Sequence, residues 1–438
     1  MMRVFQRKWI WFFPIFSIFV MIYATHNKTF ISVVRTVIAK LIWRKSGEDK
    51  IDKPTSMRNI RSTEQTKSDQ KEKLLESTTQ QQLIPTDLSE MVTFSSTHKS
   101  KLPTMLLWYP PPFLERRYGG KIIVDNLEKC GGCTFTNDKS KLNESEIIIL
   151  HSNFLERGGS IPKSRFMNQT YVFYTQESPY HTNYLGKNIA DLKNYDNLFN
   201  MTMTYRRDSD VMSAYGCWGE RFIEKVQRFP LKPNRPKLAV MFASSCNKVG
   251  AKLRKEYSDM LIQNGLRLDR YGKCFGNYHN GSMDDILMQY KFFMSFENSI
   301  HCRDYITEKF WLNSLEHGLL PVVIGPHKED IKSVAPPHSY IHAEDFKSPK
   351  DLVNYLNYLD KNDTAYKEYF KWREIPPPHL KYACGKGTEF CVLCKKYMEG
   401  SRGKTFSISK WWYGEERTEC FSTDYKKTKS YFSKIHGL

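Results

Sequence analysis

Short, continuously apolar runs recur along the chain: TMLLWY (104–109), KIIV (121–124), EIIIL (146–150), TYVFY (170–174), LAVMFAS (238–244), LDRYG (268–272), KFFMSF (291–296) and LLPVVIG (319–325). Runs of this length and composition fit strands buried on both faces. Polar or helix-compatible segments separate them, and strands alternating with helices imply parallel sheets. The Pro-rich PLKPNRPK (230–237) divides the runs into two groups. The expectation is therefore two α/β halves joined by a hinge, with a cleft between them and ligands at the C-terminal ends of the strands. A chain of 438 residues suits two domains, since single cores rarely grow past about 250–300 residues.

The stretch FENSIHCRDYITEKFW (296–311) gathers Glu297, Asn298, Tyr305, Glu308 and Lys309 between the KFFMSF strand and a helical pattern in which Ile306, Phe310, Trp311 and Leu315 are apolar and Gly318 marks the stop. Asp304 is placed to cap that helix. A strand-to-helix turn at the sheet edge favours an anion, through free N–H groups and the helix dipole. Lys309 adds a full positive charge for a phosphate or diphosphate, while Glu308 and Tyr305 suit ribose or base hydroxyls. The bland alternative is a solvated Glu–Lys face on an ordinary helix. Neither GxxxxGK[ST] nor GxGxxG after a strand occurs, so NTPase and dinucleotide readings lose support and a nucleotide-sugar site remains.

The chain carries 66 Lys and Arg against 47 Asp and Glu, a formal +19, which favours partners bearing phosphate without choosing among them. The N-terminus narrows the field. A short basic tail (1–8) precedes an uncharged apolar run (9–24), read as a signal-anchor spanning 9–25, with a cleaved signal peptide as the alternative. The segment 31–43 is apolar with isolated cations and suits a helix lying on the membrane face or an ordinary juxtamembrane helix. Residues 26–101 read as a stem, polar and nearly free of aromatics beyond Ser46. Asn-x-Ser/Thr sequons begin at Asn27, Asn143, Asn168, Asn200, Asn280 and Asn362, a density that fits a lumenal protein, with Asn27 too near the membrane for modification. Such a domain does not meet nucleic acid. All 10 cysteines lie beyond residue 129, and in an oxidising lumen they read as disulfides. The pairs Cys130/Cys133 and Cys391/Cys394 have the letters of a four-cysteine zinc site, which the compartment disfavours.

FENS, DYITEK (304–309) and PVVIGP (321–326) closely resemble the donor-binding signature of the Golgi α1,3/4-fucosyltransferases, inverting enzymes that use GDP-fucose. QESPYH (176–181), TYRRDSD followed by YG (204–216) and EDFKSPKDL (344–352) extend the resemblance. It spans about Leu106 to Tyr397, and the anchor and stem match the family's type II layout. It implies two Rossmann-like domains facing a cleft, the GT-B arrangement: an acceptor-side domain at 102–235, a donor domain at 236–375, and a Cys-containing tail at 376–438 that packs back on the first. It implies that Asn298, Tyr305, Glu308 and Lys309 hold GDP-fucose, with Tyr215 and Ser245 nearby. A further cation comes from AKLRKEY (251–257), where Arg254 and Lys252 are both candidates and Arg254 better keeps the spacing to Tyr271. It also implies that Cys130 and Cys133 are bonded to Cys391 and Cys394. Phe293 stands where the family commonly has Tyr, and an extra residue lies between His301 and Tyr305, so one donor contact is relocated or lost.

Displacing GDP by a sugar hydroxyl with inversion needs a base on the acceptor side and charge stabilisation on the leaving group. Glu177, just past the TYVFY strand, is the base candidate, and the resemblance assigns it that role. His181 orients the acceptor or caps the loop, and Arg206 and Arg207 belong to the acceptor-side segment. Asp208-Ser209-Asp210 has the letters of a metal-bridging DxD, but the family neutralises diphosphate with Lys, Arg and a helix end. No tightly bound cofactor or metal is expected, and manganese is at most a stimulant. The implied activity is transfer of L-fucose from GDP-fucose to a GlcNAc hydroxyl of a glycoprotein glycan by a Golgi single-pass type II membrane protein. The alternative is a catalytically silent glycan-binding protein of the same fold.

Overall fold

The computed structural model describes residues 102–110, 130–156, 160–183, 191–380, 387–421 and 424–435. The apolar run at 9–24, the segment at 31–43, the stem, KIIV and Asn27 lie outside these residues. Among the described residues no helix is long and apolar enough to cross a membrane.

Two sheets, each parallel throughout, make up the scaffold. The first holds β1 (Thr104–Leu107), β2 (Thr134–Thr136), β3 (Ile147–His151), β4 (Thr170–Thr175), β5 (Met201–Thr204) and β6 (Val211–Met212), in the order β2-β1-β3-β4-β5-β6. The second holds β7 (Lys237–Phe242), β8 (Leu268–Tyr271), β9 (Tyr290–Phe296), β10 (Leu320–Ile324) and β11 (Ile341–His342), in the order β11-β10-β9-β7-β8. Every residue of β3, β4, β9 and β10 is buried, as expected of parallel strands covered on both faces. Phe293, the departure noted above, stacks on Phe242 with ring centroids 6.2 Å apart.

In the second sheet the strand order reverses between β7 and β9, and the crevice of an open parallel sheet lies at such a switch point. Helix α2 (Val249–Gln263) follows β7 and starts at that crevice; the shorter α1 (Pro179–Asn183) follows β4. A Cβ on Gly250 would come within 2.5 Å of the Asn298 carbonyl oxygen, so only glycine lets α2 approach the turn after β9.

The tail crosses both halves. Helix α4 (Thr388–Met398), which comes after α3 (Pro349–Lys361), carries Cys391 and Cys394. They are bonded to Cys130 and Cys133 respectively. Gly131 and Gly132 have φ of +67° and +93°, a conformation that makes glycine the fitting residue between these two cysteines. On α5 (Ile408–Tyr413), Trp412 packs edge-on against Phe173 of β4 and donates its indole N–H to Thr182 Oγ1 at 2.7 Å. On α6 (Tyr425–Ile435), Phe432 packs on Tyr257 of α2. Cys302–Cys420 and Cys246–Cys274 are further disulfides, and no cysteine among the described residues is free.

Candidate active site

The chain between β9 and β10 departs from the expected helix. Helical structure is confined to Trp311–Glu316, wound as a π-turn, and the residue before it caps nothing with its side chain. Asp304 is not an N-cap: its φ is +61° and its carboxylate takes the Arg207 side chain at 2.6 Å and the Arg207 N–H at 3.1 Å. The reason is Glu297. From the end of β9 it accepts the Thr307 N–H at 2.9 Å and the Thr307 hydroxyl at 2.8 Å, winding the intervening residues into a loop. The anion at these N–H groups is thus the protein's own carboxylate.

Lys309 Nζ lies 3.2 Å from Glu297, 2.9 Å from Glu308 and 2.8 Å from Thr307 Oγ1. Burial alone would lower the lysine, but the two carboxylates outweigh it and hold the ammonium above its ordinary range. Burial raises Glu297, which is 1 % exposed, despite the facing lysine. At Glu308 the same lysine outweighs burial, and its acidity is strengthened. Arg254 lies on the buried stripe of α2 with Leu253, Tyr257, Ser258 and Leu261. It donates to the carbonyls of Phe296 and Ser245, each at 3.0 Å, while its Nε is buried without a partner. Lys252 faces outward, over the Tyr425 ring. Helical periodicity thus separates the two cations the spacing left open. Asn298 is half-buried, its side-chain oxygen taking the Ser299 hydroxyl at 3.2 Å.

From the first sheet, the end of β4 presents Glu177, and α1 brings His181 Nδ1 to 2.7 Å from its carboxylate. The Glu177 side chain is 50 % exposed while His181 is buried, its Nε2 unpartnered. Burial would raise Glu177, but the hydrogen bond and charge of His181, with Lys248 and Lys309, lower it to about 2. That Lys309 of the other half acts on Glu177 measures how close the two walls are. Ser178 and Ser299 join them directly, hydroxyl to hydroxyl at 2.7 Å. Tyr305 is buried edge-on to Tyr205 and Tyr215, and the Tyr215 hydroxyl donates to the Gln176 carbonyl at 2.6 Å.

Arg206 and Arg207 stand apart. Arg206 is 1 % exposed, bidentate to Asp208, bonded to the Trp411 carbonyl and laid over the Trp411 ring. Arg207 bridges Asp304 and Asp330. The DxD letters are structural too: Asp208 also pairs with Arg303, and Asp210 accepts the Thr202 N–H and hydroxyl. Lys248, just before α2, belongs to none of the quoted motifs, and Ser178 and Ser299, though inside QESPYH and FENS, carried no role there, because only the juxtaposition of the two sheets brings them into one place.

Strand ends of two parallel sheets thus bring together Glu177 with His181 on one side and Lys309, its carboxylates Glu297 and Glu308, and Arg254 on the other, with Ser178 and Ser299 in contact between them. The chain matches "Fucosyltransferase, N-terminal" over residues 100–216 and "Glycosyltransferase family 10 (fucosyltransferase) C-term" over residues 232–412. It belongs to glycosyltransferase family 10 and is a fucosyltransferase. It is 34 % identical to 4-galactosyl-N-acetylglucosaminide 3-alpha-L-fucosyltransferase FUT6 of Pongo pygmaeus, over 72 % of this chain and 85 % of that protein. It is 36 % identical to 4-galactosyl-N-acetylglucosaminide 3-alpha-L-fucosyltransferase FUT5 of Homo sapiens, over 64 % and 72 %. A solved alpha1,3-fucosyltransferase with GDP superposes with a TM-score of 0.46 at 17 % identity, covering 72 % of this chain and 95 % of that one.

Proposed function

We propose that the enzyme transfers L-fucose from GDP-fucose, with inversion, to a GlcNAc hydroxyl of a glycoprotein glycan in α1,3 linkage. The observation that carries this reading is the opposition of Glu177, at the end of β4, to Lys309 and Arg254 at the crevice between β7 and β9. The relatives FUT6 and FUT5, both named 3-alpha-L-fucosyltransferases, support it.

In the proposed reaction the acceptor oxygen attacks the anomeric carbon as the bond from that carbon to the GDP β-phosphate oxygen breaks. The hydroxyl proton passes to Glu177, and Lys309 and Arg254 receive the charge of the leaving diphosphate. Glu308 and Tyr305 face the nucleoside and sugar hydroxyls, with Asn298, Ser245 and Tyr215 beside them. A carboxylate as acidic as Glu177 takes a proton late, once bond formation has acidified the hydroxyl. His181 keeps that carboxylate ionised and holds its orientation. No step needs a metal, and manganese adds at most to the rate.

The scaffold is read as a GT-B fold, with the division at 235 and the tail from 376 binding the halves together. Residues 9–25 are proposed to anchor the chain in the Golgi membrane with the enzyme lumenal, and the disulfides and sequons agree with that compartment. Incubating the full-length chain in detergent with GDP-fucose and a glycan panel tests the reading. Mass spectrometry should find an added deoxyhexose on GlcNAc, and a panel left unmodified by a chain that binds GDP would sink it.

A further inference from the structure

The carboxyl set deepest in the first half comes from the tail. Glu389, in the first turn of α4, is 6 % exposed and lies among apolar neighbours, with Phe390 packed edge-on against Tyr174 of β4 and Phe135 of β2. A carboxyl in such surroundings destabilises the fold unless its hydrogen bonds are made. Glu389 accepts the Ser213 hydroxyl at 3.3 Å and is hydrogen-bonded to Tyr174. Gln176 Nε2 in turn donates to the Ser213 hydroxyl at 3.2 Å and to the Ser213 carbonyl at 3.3 Å. Ser213 is pinned from its other side, its N–H on the Thr204 carbonyl at 2.7 Å. Gln176 is the residue before Glu177, and its own carbonyl takes Tyr215. A continuous line of hydrogen bonds thus runs from the disulfide-bonded tail helix to the turn that presents the carboxylate.

We propose that Glu389 is a positioning residue for Glu177, acting through Ser213 and Gln176 to fix the turn at the end of β4. The proposal rests on Glu177 as the base. Glu389 takes no part in the chemistry, and the donor half of the cleft does not touch it. Burial weakens its acidity, opposed by hydrogen bonds from the N–H groups of Glu389 and Gly387, from Ser213 and from Tyr174; burial prevails and raises its pKa to about 7. His151 of β3, edge-on to Tyr174, is itself lowered to about 4 by burial and offers no positive charge at neutral pH. Below about 7 the Glu389 carboxyl is therefore mostly neutral; above it, a buried anion with no counter-ion among the described residues loosens the first turn of α4 and, with it, Ser213.

The test compares the full-length chain with Glu389→Leu, Glu389→Gln and Glu177→Gln, following kcat against pH, KM for GDP-fucose, GDP affinity and melting temperature. Glu389→Leu should lower kcat about tenfold with KM for GDP-fucose unchanged, an effect in the range that a small displacement of a reacting group produces. Glu389→Gln keeps the shape in a neutral form, and it should hold kcat near the parent value below neutrality and abolish the parent's decline above about 7. Glu389→Leu at the parent kcat, with Glu177→Gln inactive, overturns the proposal and leaves Glu177 standing. Both Glu389 variants losing kcat, GDP affinity and melting temperature together would make the role merely structural and overturn it as well. Glu177→Gln at the parent turnover instead removes the reading beneath it, and the proposal with it.

Discussion

The hydroxyls of Ser178 and Ser299 meet at 2.7 Å, both buried, and each follows a residue of the candidate site, Glu177 on one wall and Asn298 on the other. Each hydroxyl has one further partner, Asn298 Oδ1 for Ser299 at 3.2 Å and the His181 N–H for Ser178 at 3.3 Å, so losing one leaves the other only partly satisfied. Either single change to Ala should destabilise more than its lost atom warrants, and the double change should recover part of that. A coupling of about 0.5–1.5 kcal/mol is expected from denaturant unfolding of the four-member cycle. Strictly additive effects would mean the contact does not hold the walls together.

Glu177→Gln should cut transfer by about 10²–10⁴-fold while leaving GDP binding intact, since the amide keeps the size of the side chain but takes no proton. The pH dependence follows from the strengthened acidity of Glu177, whose pKa is about 2 folded against 4.5 as its ordinary value. The pair with His181 contributes stability above about 4.5 that is lost as pH falls through about 2. Any stability gap between parent and variant should therefore close in strong acid, and no inflection in kcat near neutrality should come from Glu177. A parent-like rate at saturating substrates would exclude it as the base.

Lys309→Ala should do two things that a second substitution separates. It leaves Glu297 charged, buried and unpaired, a defect of about 3–5 kcal/mol. It also removes a phosphate contact worth about 1.5–3 kcal/mol as a charge-assisted hydrogen bond. Adding Glu297→Gln should restore most of the stability and none of the GDP affinity, read by urea melts and calorimetry. Recovery of both together would place the diphosphate elsewhere.

The staples Cys130–Cys391 and Cys133–Cys394 each close a ring of 261 residues, yet they lie side by side. With one intact, the other closes only a short ring. In the chain-entropy account, removing either should cost about 2–3 kcal/mol and removing both roughly 8 kcal/mol. Urea unfolding of the three Cys-to-Ser pairs measures this, and simple additivity would count against it.

Among the sequons, Asn143, Asn168 and Asn280 are exposed, whereas Asn200 holds the Tyr171 N–H and Arg165, and Asn362 caps a helix through the Ala365 N–H. Glycopeptide mass spectrometry should find the first three occupied and the last two empty. Full occupancy at Asn200 would show that modification precedes this packing.

Most strands were legible because burial on both faces writes itself as an apolar run; KFFMSF and LLPVVIG match β9 and β10 nearly residue for residue, whereas β2 (Thr134–Thr136) and β5 (Met201–Thr204) interleave threonine and left no such run. The two-residue strands Val211–Met212 and Ile341–His342 were not, since so short a segment has no period to detect. Of the candidate site, Glu177 and Lys309 could be named from their places at strand ends, while Arg254 entered only through the family resemblance, with Lys252 open beside it, until the buried stripe of α2 placed Arg254 inward. The helix over 305–318 was misjudged because Glu297, several residues outside the segment, takes the Thr307 N–H and hydroxyl and winds the residues before Trp311 into a loop, and local propensity holds no record of such a reach. Arg206 was misplaced for a related reason. Its partner Trp411 belongs to the tail, and charge alone does not say which way a guanidinium turns.

Because residue 130 is bonded to residue 391, the order of synthesis matters. At about 5–20 residues per second on the ribosome, the thiols of Cys130 and Cys133 wait tens of seconds for partners that do not yet exist. During that time the nearest available thiol to each is the other. The first sheet is therefore translated in full before either long ring can close. A chain interrupted anywhere before the tail carries Cys130 and Cys133 without the partners that the folded protein gives them.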